Sequence, residues 1–554
     1  MIARALIGLL LVLFAVQAGM AAREDSVTVD EFVHLPIGLY MVRQRDFTPD
    51  PINPPLSRML PALAVAPSPD VVAPSFNVNH WGMGLEFMDR NFDSYQTIFV
   101  RARCVVIVMS ILLGALVCRF AFALYGQTAS VIALLLFVFS PSFLAHGHLV
   151  TTDVAGALGF TATVYSLWRY LDSRSMLRAA VLGLAFGVAL LLKLSSLLLA
   201  GVILLCAAIE ILRAGGQPRL RLAFRLTLGL CVACVAATLV IDLGYGFEGV
   251  GRSLQEIELR SGGAVAALDA RYPWLRIPLP APFLTGLDLA MTGRDSLRTP
   301  YYLAGTFSDT GWWYYHLVAF ALKTPLPILL ATIFLLASLP FRRDRRRNEH
   351  CLLVAALAVF VVNGVFNPLN IGVRHVLAAE PILLVLISPL FAAPIARFLS
   401  GPPSFAVVAR AAASAFALAW LVAGTLRVSP RYLQYFNEAA GGPANGHAWL
   451  TDSNLDWGQD LIRLSRYMEE KRLPSIALAY MGTVHPWVYG IQFTPLTRDS
   501  HGPAAISAST LTGSTYAIWS EPGRHAGPSE GEYVWLRGLR PVARAGSMFI
   551  FDLP

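Results

Sequence analysis

Residues 28–60 read TVDEFVHLPIGLYMVRQRDFTPDPINPPLSRML directly after an apolar run, and they contain two adjacent carboxylates, Asp30 and Glu31. The apolar run before this stretch predicts a membrane anchor at one end. At the other end Asn53-Pro54-Pro55 interrupts any helix, because proline ends helices and holds the residue before it extended. We therefore expect a loop outside the membrane that keeps two acids close to the membrane surface.

The two acids also have a local interpretation as helix caps. If Thr28 is the N-cap of a short helix, Glu31 takes the third helical position of a capping box. Asp30 then lies in the first turn, where the helix dipole favours the ionised carboxylate. Such an Asp30 is able to accept a proton or bind a cation. We favour a catalytic interpretation for Asp30, and for Glu31 both interpretations, catalytic and capping, stay open.

The composition predicts a polytopic membrane protein. Of 554 residues, 56% are hydrophobic and only 14% are charged, against roughly a quarter charged in soluble domains, and the mean hydropathy is +0.57. The net charge of +8 does not indicate nucleic-acid binding, because the basic residues concentrate in short loops between apolar runs and no nucleic-acid motif occurs. The six cysteines lie in or at the ends of apolar runs, so no loop carries a pair for a disulfide. Cys231 and Cys234 form a C-x-x-C, but it lies inside an apolar run without a second pair nearby, so we expect no metal or redox use.

Eleven apolar runs are candidate membrane spans. They cover about residues 3–22, 103–124, 128–145, 152–171, 178–192, 195–212, 224–242, 315–338, 351–367, 375–398 and 405–427. The first has features of a signal peptide, but we favour an uncleaved span because the next loop needs an anchor. The runs at 178–192 and 195–212 form either two spans or one long tilted helix; two spans place the arginine-rich loops, including Arg342 to Arg347, inside the cell.

This topology gathers most unusual polar residues on the outer face, in loops 23–102 and 243–314 and in the tail. The tail has no spanning run. Its helix-like stretch at 456–471 and strand-like stretches at 476–480, 504–509 and 548–552 indicate a small α/β domain. The sequence thus predicts a transmembrane domain at 1–428 and a C-terminal extracytoplasmic domain at 429–554.

The turn HGHLVTTD, residues 146–153, brings two histidines and an acid to the outer ends of two predicted spans. His146, His148 and Asp153 are candidate metal ligands, because imidazole and carboxylate groups bind zinc and similar ions. A helix cap explains Asp153 equally well. A divalent metal ion is therefore left open as a cofactor, and Asp153 is a candidate catalytic residue.

Lys193 in LLLKLSS and Lys323 in FALKTPL place ammonium groups within or beside apolar spans. A charge there is costly and indicates a functional site unless the side chain reaches the membrane interface. A lipid-linked phosphate supplies the missing counter-charge. In NPLNIGVRH, residues 367–375, Arg374 and His375 lie at the outer mouth of a span, and arginine binds phosphate oxygens in a bidentate manner. All four side chains are candidates for binding a phosphate.

The tail opens with YFNEAAGGP at 435–443 and DSNLDWGQDL at 452–461. Amide, carboxylate and indole side chains of this kind hydrogen-bond and stack on sugars, but they also build loops and caps. The candidate substrate-binding residues in the tail and the preceding loops are Arg58, Asn370, Asp452, Asn454, Asp456, Trp457 and Gln459.

Six motifs together resemble the phospholipid-carrier-dependent glycosyltransferases of the GT-C fold. They are the acids Asp30-Glu31, NPPL at 53–56, HGHLVTTD, GWWYYHLVAFALKTPL at 311–326, NIGVRH at 370–375 and DSNLDWGQDL. Within these enzymes the chain is similar to the bacterial relatives of protein O-mannosyltransferases and of the aminoarabinose transferase that acts on lipid A. The pattern extends over nearly the whole chain.

The resemblance implies a polyprenyl-phosphate-linked sugar donor in the bilayer and transfer on the outer, periplasmic face of a bacterial inner membrane. Asp30 matches the family's first-loop acid, a base or acceptor-orienting group, Glu31 its acidic neighbour, and Asp153 the acid of the second outer loop. The acceptor is a protein, a lipid or a glycan. A transporter of lipid-linked sugars and a non-catalytic scaffold are the alternatives; a transporter predicts repeat symmetry and broken helices at the midplane.

Overall fold

The structure, a computed structural model, describes residues 2–77, 79–214, 218–259, 264–292, 300–341, 349–367, 369–513, 518–521, 524–526 and 532–554. Helices of the first half are α1 (Ile2–Glu24), α2 (Glu31–Gln44), α3 (Pro55–Leu63), α4 (His80–Arg90), α5 (Tyr95–Tyr125), α6 (Gln127–Val138), α7 (Pro141–His146), α8 (Thr152–Ser173), α9 (Met176–Leu192), α10 (Leu198–Arg213) and α11 (Pro218–Gly244). They are followed by α12 (Ala264–Arg271), α13 (Ala281–Thr292), α14 (Tyr315–Lys323), α15 (Leu326–Ser338), α16 (Glu349–Val365), α17 (Glu380–Leu399), α18 (Phe405–Val428), α19 (Leu461–Lys471) and α20 (Ala508–Thr512).

Among the described residues, six helical stretches are long and apolar enough to cross a membrane. They are Ile2–Glu24, Phe92–Tyr125, Leu194–Arg213, Arg219–Gly244, Val373–Leu399 and Phe405–Val428. Shorter apolar helices occupy Gln127–Val138, Met176–Leu192, Leu326–Phe341 and Glu349–Val365. The expected polytopic helical fold is confirmed. Every predicted span contains a helix, but the number of eleven crossings and their direction stay predictions, and the basic run Arg342 to Arg347 lies outside the described residues.

The chain between residues 178 and 212 forms two separate helices. Helix α9 ends at Leu192, Lys193 adopts an extended conformation (φ −160°, ψ 124°), and a 3₁₀ turn at Leu194–Leu197 leads into α10. A single long helix is therefore excluded. The break leaves Lys193 at a helix end, where its Nζ lies 2.6 Å from Asp153 Oδ1 in the neighbouring helix α8.

The first loop folds back on itself through its prolines. Helix α3 begins at Pro55, where a missing N–H costs nothing because the first turn of a helix has no acceptor for it. Helix α2 begins at Glu31 with Asp30 as its N-cap, so the predicted N-cap at Thr28 is wrong by two residues. The expected contact still forms, because the Glu31 carboxylate accepts hydrogen bonds from the Thr28 N–H at 3.1 Å and Oγ–H at 3.0 Å.

A small sheet follows α19 in the tail. Its strands are β3 (Ile476–Ala479), β4 (Phe493–Pro495), β5 (Gly502–Ile506), β8 (Ala543–Ala545) and β9 (Met548–Leu553), in the order β4-β3-β5-β9-β8. Separate two-stranded ribbons join β1 (Tyr301–Leu303) to β2 (Thr306–Ser308) and β6 (Ile518–Glu521) to β7 (Arg524–Ala526). Strand β3 pairs in parallel with β4 and β5, whereas β9 pairs antiparallel with β5 and β8. The predicted α/β character of the tail is confirmed.

The sheet is covered on both faces because its strands alternate between two apolar clusters. Ile476 and Leu478 of β3 pack with Leu461 and Leu464 of α19. Ala477 and Ala479, pointing the other way, join the cluster that also contains core residues of the helical bundle. Alternate side chains of a strand face opposite sides, so the two faces of the sheet belong to different apolar clusters. The tail itself meets the bundle through its first segment, where Arg374 Nε donates to the Ser453 hydroxyl at 3.1 Å.

The start of the first loop is held by the tail through backbone contacts. The Ser26 N–H donates to the Gln459 carbonyl at 2.9 Å, and the Val29 N–H donates to the Trp457 carbonyl at 3.1 Å. The Ser26 hydroxyl donates to the Gly458 carbonyl at 2.8 Å and accepts from the Leu461 N–H at 3.0 Å. We call residues 26–29 with 457–461 the loop–tail clamp. It fixes the position of Asp30, the next residue along the chain.

Candidate functional site

Four charged side chains from four parts of the chain form one line of ion pairs. Arg374 Nη1 lies 2.6 Å from Asp30 Oδ2 and 3.6 Å from Asp153 Oδ2, and Lys193 Nζ lies 2.6 Å from Asp153 Oδ1. Asp30 caps α2, Arg374 lies in a 3₁₀ helix, Asp153 in the first turn of α8, and Lys193 follows α9. The structure thus brings together four residues that the sequence singled out separately. We call this set the ion-pair chain.

The tail holds the guanidinium of Arg374 in place. Its Nε donates to the Ser453 hydroxyl at 3.1 Å, and its plane lies over the Trp457 ring, with Cζ 4.4 Å from the ring centroid. Trp457 is only 1% exposed. An arginine fixed by a stack and a hydrogen bond keeps its remaining N–H groups pointed in one direction. Here Nη1 points at the two carboxylates.

A cavity of about 960 Å³ opens beside the ion-pair chain. Asp153, Lys193, Arg374 and His375 form its charged part. Most of the remaining wall is apolar and comes from α8, the turn after α9, α13 and α16, including Ala157, Phe160, Leu194, Leu198, Leu287, Val359, Val362 and Phe366. A pocket of this composition suits an amphipathic molecule with a long apolar part and an anionic group.

The charges of the ion-pair chain balance in formal terms, because two carboxylates face one guanidinium and one ammonium. Burial raises the pKa of Asp30 above its usual range, and the neighbouring Arg374 only partly opposes that effect. The Asp30 side chain keeps 25% of its surface exposed, whereas Asp153 keeps 1%. Asp30 is therefore the more exposed acid of this set, whereas Asp153 is the one that lines the cavity.

Glu31, next to Asp30, points away from the cavity into the protein. It is fully buried against Arg103, with Oε2 to Nη2 at 2.6 Å and Oε1 to Nε at 2.9 Å. The Val150 N–H donates to Oε1 at 2.9 Å, in addition to the two bonds from Thr28. Burial alone raises the pKa of Glu31, but the Arg103 guanidinium and these donors hold the pKa below its usual range. Glu31 thus ties the first loop to α5 and to the turn before α8.

The two lysines that looked alike in the sequence occupy different environments. Lys193 lines the cavity and is 24% exposed. Lys323 is 4% exposed and donates to the carbonyls of Leu433, at 2.7 Å, and Asn454. Its Nζ also lies 4.4 Å from the centroid of the Phe436 ring. Lys323 does not line the cavity among the described residues; it joins α14 to the beginning of the tail.

Arg58 and Asn370 are also engaged inside the protein. Arg58 is 1% exposed and pairs with Asp50 at 2.9 Å, closing the proline-rich part of the first loop. The Asn370 side-chain oxygen accepts from the Trp312 N–H at 2.6 Å. Both contacts fix loop conformation. Neither residue lines the cavity in the described part of the chain.

In the tail, the candidate residues Asn454, Trp457 and Gln459 hold Arg374 in position. Asn454 accepts from the Val373 N–H and donates to the Tyr315 hydroxyl, both at 2.9 Å. Gln459 accepts from the Trp457 N–H at 2.7 Å and donates to the Leu455 carbonyl at 3.1 Å. These amides position the Trp457 ring and the Arg374 helix.

Asp452 and Asp456 are buried carboxylates of the same segment. Asp452 has a left-handed backbone (φ 57°) and lies near Arg374, whose charge favours ionisation. Burial nevertheless raises the pKa of Asp452 to about 7 and that of Asp456 to about 6. The Ser509 N–H donates to Asp456 Oδ2 at 3.0 Å. The Asp456 carboxylate and the Asp452 N–H, which donates to the Ser509 hydroxyl at 3.1 Å, connect the segment to the helix after β5.

The histidines of the HGHLVTTD turn do not form a shared metal site with Asp153. His148 Nε2 lies 3.0 Å from Asp25 Oδ2, and its Nδ1 lies 2.9 Å from the Leu144 carbonyl oxygen. Among the described residues, Cys206, His350 and Cys351 are the one group of three or more His, Cys, Asp or Glu side chains close enough to share a metal ion, and none of them belongs to the ion-pair chain. The Asp153 carboxylate instead faces Lys193 and Arg374, so cations already occupy both of its oxygens. His375, the remaining phosphate candidate, lines the cavity with Nδ1 3.4 Å from the Asn367 amide.

Sequence reasoning did not find Arg103, Ser453 or the pair Asp25–Arg463. Arg103 marks the beginning of an apolar run, where arginine is common, so nothing local reveals its buried pairing with Glu31. The sequence indicates only that Arg103 needs some partner, because a charge in a spanning helix is normally paired. Asp25 Oδ1 lies 2.7 Å from Arg463 Nη2, which adds a side-chain link to the loop–tail clamp. Ser453 is an ordinary loop serine without such a signal.

Residues 7–244 match the sequence model of the family described as dolichyl-phosphate-mannose-protein mannosyltransferase. That segment contains Asp30, Asp153 and Lys193, and the expected resemblance is confirmed there. Comparison with curated protein sequences gave no match.

Among solved structures, the chain is similar to ArnT from Cupriavidus metallidurans crystallised with undecaprenyl phosphate. The identity is 13%, the TM-score 0.49, and the alignment covers 99% of this chain and 97% of that one. It is also similar to an apo oligosaccharyltransferase from Archaeoglobus fulgidus, with 13% identity, a TM-score of 0.47, and 75% and 56% of the two chains covered.

Proposed function

We propose that this chain, a relative of the dolichyl-phosphate-mannose-protein mannosyltransferases over residues 7–244, is a membrane glycosyltransferase of the GT-C type. It transfers a sugar from a polyprenyl-phosphate donor to the hydroxyl group of an acceptor. The observation that carries the proposal is the ion-pair chain at the edge of the large, mostly apolar cavity. A lipid-linked sugar phosphate has the matching parts: an apolar chain, one anionic group and a polar sugar.

The donor occupies the cavity with its lipid chain along the apolar wall. Lys193 and Arg374, the two cations that line this cavity in the ion-pair chain, bind the phosphate. Guanidinium and ammonium groups bind phosphate oxygens through charge-assisted hydrogen bonds. His375 lies on the same wall and contacts the donor near the phosphate. The sugar then lies near Asp30, the exposed acid of the set.

In the transfer step, the acceptor oxygen attacks the anomeric carbon of the sugar. The new carbon–oxygen bond forms while the bond between the anomeric carbon and the phosphate oxygen breaks, and the electron pair leaves with the phosphate. Asp30 takes the proton of the acceptor hydroxyl. General-base help of this kind is worth about 10²- to 10⁴-fold in rate. Lys193 and Arg374 stabilise the charge that grows on the leaving phosphate.

Charge balance supports Asp30 as the group that exchanges a proton. The ion-pair chain is neutral in formal terms before the donor binds, so an entering phosphodiester adds a negative charge beside two carboxylates. The same phosphate draws Arg374 away from Asp30, which raises the proton affinity of that carboxylate further. Asp153 keeps its Lys193 contact at 2.6 Å and stays ionised as the fixed counter-ion.

The other predicted residues support this site without touching the donor. Glu31 fixes the loop that carries Asp30, and Lys323 fixes the joint between α14 and the tail. Trp457, Asn454 and Gln459 position Arg374. Arg58, Asn370, Asp452 and Asp456 hold loop and tail conformation.

For the whole chain, we propose a transmembrane unit at 1–428 and a C-terminal unit at 429–554, both contributing to the site on the outer, periplasmic face of an inner membrane. The loop–tail clamp and the contact of Ser453 with Arg374 support a tail that takes part in the site. The acceptor enters from the side of the first loop and tail, where Asp30 is exposed.

The test is transfer by purified protein in detergent, with radiolabelled polyprenyl-phosphate sugars as donors and a membrane extract as the acceptor source. Wild type is compared with Asp30→Asn and with Asp93→Asn, which changes an exposed acid of the same loop. We expect transfer by wild type and Asp93→Asn, and a loss of about 10²-fold or more in Asp30→Asn. Wild-type transfer that persists in folded Asp30→Asn contradicts the role of Asp30; failure of wild type with every donor contradicts the function.

A further inference from the structure

A second cavity, of about 220 Å³, lies where the last predicted span meets the tail. Its polar lining includes Arg427, Arg431, Gln434, His447, Arg544 and Ser547. Arg427 belongs to the final turn of α18, Arg431 follows that helix, and Arg544 belongs to β8. This cavity shares no lining residue with the large one. The two cavities are therefore separate sites.

The three arginines have no carboxylate partner among the described residues. No ion pair joins Arg427, Arg431 or Arg544 to an acid there. Arg544 donates to the Ala444 carbonyl at 3.0 Å, and its guanidinium lies 4.2 Å from the centroid of the Phe549 ring. Neither contact neutralises its charge. Three guanidinium groups thus converge on one cavity with an uncompensated positive charge.

The acid beside this cavity, Asp460, already has ion-pair and hydrogen-bond partners. Asp460 lies under Gly546, whose position leaves no room for a side chain. The Asp460 carboxylate pairs with Arg463 and accepts hydrogen bonds from Gln434 at 3.0 Å and from the Ser547 hydroxyl at 2.7 Å. Arg463, outside the cavity lining, pairs with both Asp460 and Asp25. The charge that faces the cavity from its own lining is that of the three arginines.

A purely structural role, as a cation at a helix end, explains only one of the three arginines. A cation in the last turn of a helix is favoured by the helix dipole, which explains Arg427. Arg431 lies beyond the helix end, and Arg544 is on a strand more than one hundred residues later in the chain. Their convergence with Arg427 requires the folded tail. Helix α18 is long and apolar enough to span a membrane, and a cavity at the end of such a helix is within reach of lipid headgroups.

We propose that this cavity binds a phosphate group presented by an anionic membrane lipid. Planar guanidinium groups bind phosphate oxygens in pairs of parallel hydrogen bonds. Basic pockets beside membrane helices bind phosphate-bearing headgroups in the same way. Gln434 and Ser547 lie on the same wall but donate to Asp460, so the arginines are the groups that bind the phosphate. The bound headgroup connects the end of α18 to the tail, and the proposal does not depend on the transferase function.

The test compares the purified protein in nanodiscs of phosphatidylcholine alone and in nanodiscs that also contain phosphatidylglycerol. Retained lipids are counted by native mass spectrometry, and the melting temperature is measured in both membranes. The variant is the triple change Arg427→Gln, Arg431→Gln, Arg544→Gln. The matched control is Arg23→Gln, Arg101→Gln, Arg410→Gln, which removes three exposed arginines elsewhere on the helices. Inorganic phosphate, added to phosphatidylcholine nanodiscs, distinguishes a free anion from a headgroup.

We expect phosphatidylglycerol to be retained and to raise the melting temperature in wild type and in the control. The triple cavity variant is expected to fold in phosphatidylcholine and to lose affinity for the anionic lipid by roughly 100-fold. Stabilisation by inorganic phosphate that only the cavity variant loses supports the phosphate chemistry with a free anion as its source. Equal retention in the cavity and control variants, or no preference over phosphatidylcholine in wild type, overturns the proposal. A cavity variant that does not fold is replaced by the single changes, judged by the same comparison.

Discussion

Arg374 Nη1 lies 2.6 Å from Asp30 Oδ2, although 344 positions separate the two residues in the chain. The contact joins the loop after the first helix to a turn before α17. Because Arg374 also stacks on Trp457, three distant segments meet at one guanidinium. The consequences of this arrangement are measurable.

Arg374→Lys is expected to lower the transfer rate by about 10²-fold while leaving the protein folded. Lysine keeps the charge but loses the stack on Trp457, the Nε bond to Ser453 and the paired donors for a phosphate. The measurement is the initial rate over a range of donor concentrations. Arg101→Lys, an exposed change in α5, serves as the control. A variant as active as wild type contradicts phosphate binding by this guanidinium.

Lys193→Met is expected to weaken donor binding, whereas Lys323→Met is expected to lower stability. Lys193 lines the cavity, so its loss raises the donor concentration for half-maximal rate by about 10- to 100-fold. Lys323→Met leaves the carbonyls of Leu433 and Asn454 without their donor in a buried position, which costs about 1–3 kcal/mol each. Kinetics and thermal unfolding of both variants separate the two roles. Similar kinetic losses at full stability in both variants contradict this assignment.

Glu31→Gln is expected to destabilise the protein by about 3–5 kcal/mol, because it leaves the fully buried Arg103 without its counter-charge. Glu86→Gln is the matched control: it removes an exposed ion pair with Arg90, worth about 1 kcal/mol or less. Chemical unfolding in detergent measures both changes. Equal stability of the two variants would show that the buried pair does not hold the first loop.

The pH dependence of stability is expected to change in Asp452→Asn. Burial raises the pKa of Asp452 to about 7 in the folded protein, above its value of about 4 in an unfolded chain. The stability from this group is therefore fully present below about pH 4 and is lost as the pH rises towards 7. Asparagine does not titrate, so the variant should gain stability relative to wild type between pH 5 and pH 8.

Melting temperatures of wild type and Asp452→Asn at the two pH values measure this gain. Asp552→Asn, at an exposed position of β9, controls for the loss of one negative charge. A difference between wild type and Asp452→Asn that is the same at pH 5 and pH 8 contradicts the raised pKa.

The fold class and the members of the ion-pair chain were predictable from the sequence, whereas the partners inside the protein were not. Asp30, Asp153, Lys193 and Arg374 stood out because each is a charged residue beside a long apolar run. Lys323 stood out for the same reason. It differs from Lys193 only through carbonyl groups 110 and 131 positions later in the chain, and no local pattern carries that information.

The contacts of the histidines His146 and His148 also could not be predicted from the local sequence. His146 and His148 resemble metal ligands because they lie close to Asp153 in the sequence. In the structure His148 instead contacts Asp25, 123 positions away. Local spacing predicted which residues were polar near the membrane, and long-range packing decided which of them meet.

The loop–tail clamp has a consequence for biosynthesis. A ribosome completes the first loop long before it makes residues 457–461, which hold Ser26 and Val29 through their carbonyl groups. Until that segment has been made and packs against the first loop, Asp30 lacks its fixed position and Arg374 lacks Trp457. Truncated chains therefore insert their helices without an assembled site, and only a chain translated past residue 461 is able to become active.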